Sequence, residues 1–176
     1  SWWSAMEDSS RDSKRFQFER FILTQLLVMA LKGVPAFYLP ALLASENDIK
    51  SFSMTGQRRD LNREKFKLDN LVSVLNNPES NANKNIKYLG NAMDIRSKLE
   101  QFHPSSEMEC LSKGRSDIVV IKRGKGPKSV FAIHNMTENK INYQLDDYDL
   151  PELIDNDFNM KDFLASTKYN WKNISL

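Results

Sequence analysis

The first clear pattern in the chain is a run of apolar residues at helical spacing between Ser10 and Lys32. Phe18, Phe21, Ile22, Leu26, Met29 and Ala30 fall on one face of a helix, and Asp12 or Ser13 offers a capping side chain at its start. Leu23, Leu27, Val28 and Leu31 fill the other faces. A helix apolar nearly all round must be covered on more than one side, which calls for a larger body around it. Gly33 fits the helix-ending position, and Pro35 prevents continuation.

Residues 36–39 are short and continuously apolar, the pattern of a strand covered on both faces, as parallel barrel strands are. Residues 40–67 then dissolve into Ser, Asn, Asp, Thr, Gly and Arg, a long connection of the kind that carries function. Asn77-Pro78 reads as a capped helix start, followed by a stripe of Ile86, Leu89, Ala92, Met93, Arg96 and Leu99 that runs to about Phe102. His103-Pro104 ends it. After Ser105 the period becomes that of strands. Met108 and Cys110 alternate with Glu107 and Glu109, residues 118–121 are β-branched, and residues 129–134 and 140–145 follow. Gly124-Lys125-Gly126-Pro127 suits a hairpin turn, and Ile174 and Leu176 open a last strand that stops short. The expected organisation is α/β: residues 1–104 as the C-terminal part of a (β/α)8 barrel, then residues 105–176 as a small antiparallel β-domain lacking its last strand.

Composition narrows the function classes. At 176 residues, 40% hydrophobic and 27% charged, the chain is an ordinary globular sequence, and a net charge of +2 is too mild for a nucleic-acid partner. One cysteine, Cys110, permits no intrachain disulfide and makes a cytoplasmic setting the default. The densest apolar run, residues 21–31, is about half the ~20 residues that cross a bilayer, so no membrane partner is expected.

Arg58, Arg59 and Arg63 lie within six residues of the long connection, and guanidinium forks suit phosphate or sugar hydroxyls. The bland alternative, which spacing alone favours, is a solvated loop whose arginines pair with Asp60 and Glu64. Asn47-Asp48 reaches for sugar hydroxyls or, as loop Asx residues more often do, makes a local turn. Trp2 and Trp3 either stack on a sugar or pack. His103 and His134 lack partners at metal-ligand spacing, so neither a metal nor another cofactor is expected. Cys110 reads as a small buried hydrophobe, and Asp146, Asp147, Asp149, Glu152, Asp155 and Asp157 as solvated carboxylates.

Four blocks taken together, Ser1-Trp2-Trp3-Ser4-Ala5-Met6, Gly33-Val34-Pro35-Ala36-Phe37-Tyr38, Leu43-Ala44-Ser45-Glu46-Asn47-Asp48 and Arg59-Asp60-Leu61-Asn62-Arg63, resemble the C-terminal third of sucrose phosphorylase-like enzymes. These belong to the α-amylase superfamily, glycoside hydrolase family 13. The resemblance extends from Ser1 to about Leu145, and residues 40–43 with Gln57-Arg58 look closer to relatives acting on glucosylglycerate. It implies a retaining double displacement in which phosphate receives the glucosyl group, giving α-glucose 1-phosphate. It places the three catalytic carboxylates on residues preceding Ser1, so this chain would not catalyse alone. It assigns Arg59 to the acceptor and phosphate subsite, Asn62 and Arg63 to support of the loop, and Asn47-Asp48 to the same loop. The implied partners are a sugar and inorganic phosphate. A hydrolase or transglucosidase of the same superfamily, and a non-catalytic carbohydrate-binding module using Trp2, Trp3 and the arginine loop, are the alternatives.

Overall fold

The computed structural model describes residues 1–7, 14–112, 114–145, 159–164, 168–170 and 174–175. The capping positions Asp12 and Ser13, and the six carboxylates from Asp146 to Asp157, lie outside the described residues. Five α-helices are described: α1 Gln17–Ala30, α2 Leu39–Leu42, α3 Ile49–Thr55, α4 Leu68–Asn76 and α5 Asn81–Lys98. Strands β1 Met108–Cys110, β2 Ile118–Arg123, β3 Val130–Asn135, β4 Asn142–Tyr143, β5 Asn159–Lys161, β6 Lys168–Asn170 and β7 Ile174–Ser175 follow. The architecture is thus helices, then a small antiparallel sheet. The chain forms two compact units, one of Ser1–Leu26 with Pro35–Asn91, the other of Leu27–Val34 with Ala92–Leu176.

The first unit is built on Trp3, Phe21, Ala41 and Ala44, with Met6 and Phe18 packed against them. Trp3 meets Phe21 edge-on at 5.3 Å and Phe18 at 6.4 Å, and its carbonyl accepts from the Gln17 amide, so Trp3 is a packing residue. Asn85 of α5 is fully buried and donates to the carbonyls of Ala41 and Leu42 at 3.0 and 2.7 Å, satisfying the end of the short α2.

Residues 36–39 are not a strand. Residues 34–38 carry no regular structure and Leu39 already opens α2, with a proline in its first turn. A strand exists through the hydrogen bonds of a neighbour, and no described residue supplies one here. Residues 40–67 are likewise not an irregular connection. They contain α3 and a 3-10 helix, Arg58–Asn62. α4 follows, with Leu68, Leu71, Val72 and Leu75 at helical spacing and none of its residues buried. Asn77 is the C-cap of α4 and accepts from Glu79 N–H, while the Ser80 hydroxyl accepts from Asn83 N–H at 3.1 Å. The second long helix therefore opens after Ser80 rather than at Asn77-Pro78. It ends at Lys98, and a 3-10 turn, Glu100–Phe102, continues to His103.

In the second unit the strand order is β1-β2-β3, all antiparallel, with Cys110 opposite Ile121 and Val119 opposite His134. The central strand β2 is buried along nearly its whole length, and its Ile118 and Val120 join Leu111, Tyr143 and Leu145 in a core. β1 is an edge strand with all three residues exposed, which is why Cys110 is exposed and not the small buried hydrophobe expected. Its thiol pKa is lowered by hydrogen bonding to Ser112. The hairpin between β2 and β3 needs glycine. Gly124 has φ +80°, and a Cβ there would lie 2.8 Å from Gln101 Cγ. β4 pairs with β7, and β5 with β6.

Arg123 is the most informative residue of this unit. It is fully buried, donating to the carbonyls of Ala30, Leu31, His103 and Glu107 at 3.0, 2.8, 3.1 and 3.3 Å. Arg96 donates to Met29, Gly33 and Phe102 carbonyls, and both guanidinium carbons lie over the Phe102 ring at 5.3 and 5.4 Å. Two cations thus satisfy the free carbonyls at the C-terminal end of α1, where the helix dipole favours positive charge. Burial, and secondarily the charge of Arg96, lowers the Arg123 pKa.

Candidate functional site

The residues expected to bind a ligand fall on one compact loop. Asp48 is the N-cap of α3: its two carboxylate oxygens accept from Ser51 N–H at 2.9 Å and Ser51 Oγ at 2.5 Å, and these bonds lower its pKa. Gly56, in the left-handed conformation at φ +67°, closes the helix by donating to the Phe52 carbonyl. The chain then reverses into the 3-10 helix Arg58–Asn62, which carries Arg58 and Arg59.

Three hydrogen bonds fasten this turn. Asp48 N–H donates to the Leu61 carbonyl at 2.9 Å, the Tyr38 phenol to the Asn62 carbonyl at 3.1 Å, and Thr55 Oγ1 to Asp60 Oδ2 at 2.6 Å. Asn47 is tied to the N-terminal residues: its N–H donates to Ser4 Oγ at 3.0 Å and its Oδ1 accepts from the Ser1 amino group. The structure therefore gathers Asn47, Asp48, Arg59, Asn62 and Arg63 on a single fold of the backbone.

Their side chains differ in availability. Both oxygens of Asp48 are engaged by Ser51, whereas Arg58, Arg59, Asn62 and Arg63 are exposed. Among the described residues no carboxylate lies within ion-pair distance of Arg58, Arg59 or Arg63. The pairing with Asp60 and Glu64 that spacing alone favoured is absent among the described residues, and the Asp60 carboxylate is turned toward Thr55. Three guanidinium forks on a pinned turn, with no ion pair to a carboxylate among the described residues, make a surface suited to oxyanions.

Beyond Arg63 the chain enters a groove of about 300 Å³ lined by Glu64, Lys65, Phe66 and Lys67 together with Leu43 and Ser45. Trp2 is exposed, whereas Trp3 lies in the core. Among the described residues no three His, Cys, Asp or Glu side chains cluster as metal ligands, and no helix is long and apolar enough to cross a membrane.

Sequence reasoning missed Tyr38, Thr55 and Asp60 as organisers of the loop. A signal for α3 was present, since Asp48 and Gly56 are the N-cap and C-terminal residues that helices favour, with Ile49 and Phe52 three apart between them. The bond from Thr55 to Asp60 spans a chain reversal and has no signature of its own.

No protein-family model matches the chain. It is 28% identical over 130 residues to a protein of Allomeiothermus silvanus named glucosylglycerate phosphorylase, covering 74% of this chain and 23% of that protein. Proteins of the same name from Spirochaeta thermophila and Escherichia coli K12 are 27% and 23% identical over 120 residues, 68% of this chain and 20% and 22% of theirs. The chain thus spans about a fifth to a quarter of the length of the curated relatives it matches, and it is similar to phosphorylases by name over most of its own length.

Proposed function

We propose that these residues are a portion of a longer disaccharide phosphorylase that transfers glucose from glucosylglycerate, or a related α-glucoside such as sucrose, to inorganic phosphate. In this reading residues 1–104 complete a (β/α)8 barrel and residues 105–176 form the β-domain after it. Arg59 holds phosphate or the departing acceptor, Asn62 and Arg63 stand beside it, and Asn47-Asp48 order the loop. The observation that carries the reading is the pinned turn bearing Arg58, Arg59 and Arg63 with no carboxylate partner among the described residues. The three relatives named glucosylglycerate phosphorylase support it.

The chemistry is a double displacement. An enzyme carboxylate attacks the anomeric carbon as a general acid protonates the leaving oxygen; a phosphate oxygen then displaces the carboxylate, and α-glucose 1-phosphate leaves. Phosphate is a mixture of monoanion and dianion near neutral pH, so a loop that presents guanidinium donors without competing carboxylates lowers the cost of bringing it beside a reacting carboxylate.

The test is product analysis with the longer protein. Glucose 1-phosphate formed from glucosylglycerate only when phosphate is present supports the reading. Free glucose formed at the same rate with and without phosphate assigns the protein to hydrolases instead.

A further inference from the structure

We infer that Thr55 is a positioning residue: its hydroxyl holds the Asp60 carboxylate away from Arg58, Arg59 and Arg63 and so keeps their guanidinium groups available to a phosphate-class anion. The inference rests on the proposed function and adds to it a residue that itself touches no ligand.

Asp60 sits between Arg59 and Leu61 on the 3-10 helix, within three residues of all three arginines. A carboxylate so placed is a candidate partner for their guanidinium groups, in the weak pairing open to exposed opposite charges. Here it does not form. Thr55 Oγ1 lies 2.6 Å from Asp60 Oδ2 and 3.0 Å from the Ser51 carbonyl, and it accepts from Gln57 N–H at 3.2 Å. A hydroxyl has one proton, and the shorter contact to the charged acceptor takes it. The N–H of Gln57 fixes the hydroxyl from the other side, so its direction is set by the backbone just beyond Gly56. Helix α3 ends at Thr55, and the capped geometry of that end therefore decides where the Asp60 carboxylate points.

Without the hydroxyl, Asp60 would have no donor of its own and would turn to a guanidinium, in competition with phosphate. An exposed pair is worth roughly 0.2–1 kcal/mol, which corresponds to about a 1.5- to 5-fold loss of anion affinity.

The experiment measures the KM for inorganic phosphate, at saturating glucosylglycerate, in the longer phosphorylase. Thr55→Val raises it about threefold with kcat unchanged, within the range set by an exposed pair. Thr55→Ser, which keeps the donor, restores it. Asp60→Asn alone leaves the phosphate KM unraised, and in the Thr55→Val background it returns the KM to its original value, because a neutral amide does not compete for guanidinium. A merely structural role for Thr55 would not be rescued by altering Asp60 as well. A Thr55→Val protein with unchanged phosphate KM, or an Asp60→Asn protein with a raised one, overturns the inference while leaving the proposed function intact. An unaltered protein that forms no glucose 1-phosphate overturns both.

Discussion

Replacing Arg123 by leucine removes a side chain that ties β2 to the end of α1 within the second unit. The four carbonyls it serves, on Ala30, Leu31, His103 and Glu107, lie 2.8–3.3 Å from guanidinium nitrogens. Hydrogen bonds from a charged donor contribute roughly 1.5–3 kcal/mol each, and the longest of the four contributes least. Against that stands the desolvation of a buried cation with no carboxylate partner among the described residues, an effective cost of several kcal/mol, which removing the charge relieves. Leucine cannot hydrogen-bond, and the carbonyls it leaves lie at a helix end whose dipole favoured the cation. The net expectation is a loss of about 3 kcal/mol, a large part of a typical 5–15 kcal/mol stability. For a chain of this size that is a fall of about 6–12 °C in Tm. Arg123→Lys, a point charge without the planar fork, should recover only part of it. Urea and thermal unfolding followed by circular dichroism measure both. A leucine variant within about 0.5 kcal/mol of the original would refute the reasoning, since it would place the guanidinium's contribution at the level of an ordinary surface residue.

Two further perturbations probe the same framework. His134 is buried, its Nε2 has no hydrogen-bond partner among the described residues, and burial pushes its pKa down to about 4. Below about pH 6.5 the unfolded chain takes up a proton that the folded chain refuses, so stability falls with pH by about 1.4 kcal/mol per unit until about pH 4, some 3 kcal/mol in all. His134→Gln should remove that slope, and urea midpoints at pH 7, 5.5 and 4.5 that run parallel for the two proteins would contradict it. Asp48→Ala removes the cap of α3 and should destabilise the arginine loop near neutral pH. The Asp48 pKa is lowered by its bonds to Ser51, so the cap contributes above the unfolded carboxylate value and is lost as pH falls through the folded one. Hydrogen exchange of the Ser51 and Phe52 amides, slow in the original and fast in the variant at pH 7, reads it directly; equal protection in both would count against the cap.

Much of the fold was legible where local pattern and packing agree. The β-branched run of β2 and the glycines of the hairpin lie where the sequence puts them, and β1 forms at Met108–Cys110, although all three of its residues are exposed rather than alternating. Phe21, Ile22, Met29 and Ala30 of the α1 stripe and Leu89 and Ala92 of the α5 stripe are buried, whereas Ile86 is exposed. What was not legible depended on contacts distant in the chain. Residues 36–39 have the composition of a strand but no neighbour among the described residues to pair with, and composition cannot supply one. α4 was not legible although Leu68, Leu71, Val72 and Leu75 recur at helical spacing, because the helix is short and none of its residues is buried. Cys110 was expected inside because cysteine is small and apolar, yet its strand is the edge of the sheet. For the site, the three arginines were visible as a cluster. Whether they are paired was not, because that turns on a threonine five residues from the carboxylate it holds.

The most direct measurement of the central claim is the phosphate dependence of glucose 1-phosphate formation by the longer protein with Arg59 intact and replaced by alanine. If Arg59 grips phosphate through charged hydrogen bonds of roughly 1.5–3 kcal/mol, Arg59→Ala raises the phosphate KM or lowers kcat/KM for phosphate by about 10- to 150-fold. The exposed position of Arg59, whose side chain makes no hydrogen bond or ion pair among the described residues, predicts that the variant unfolds at the same urea concentration as the original. An Arg59→Ala protein that folds normally and forms glucose 1-phosphate with unchanged phosphate dependence would contradict the account.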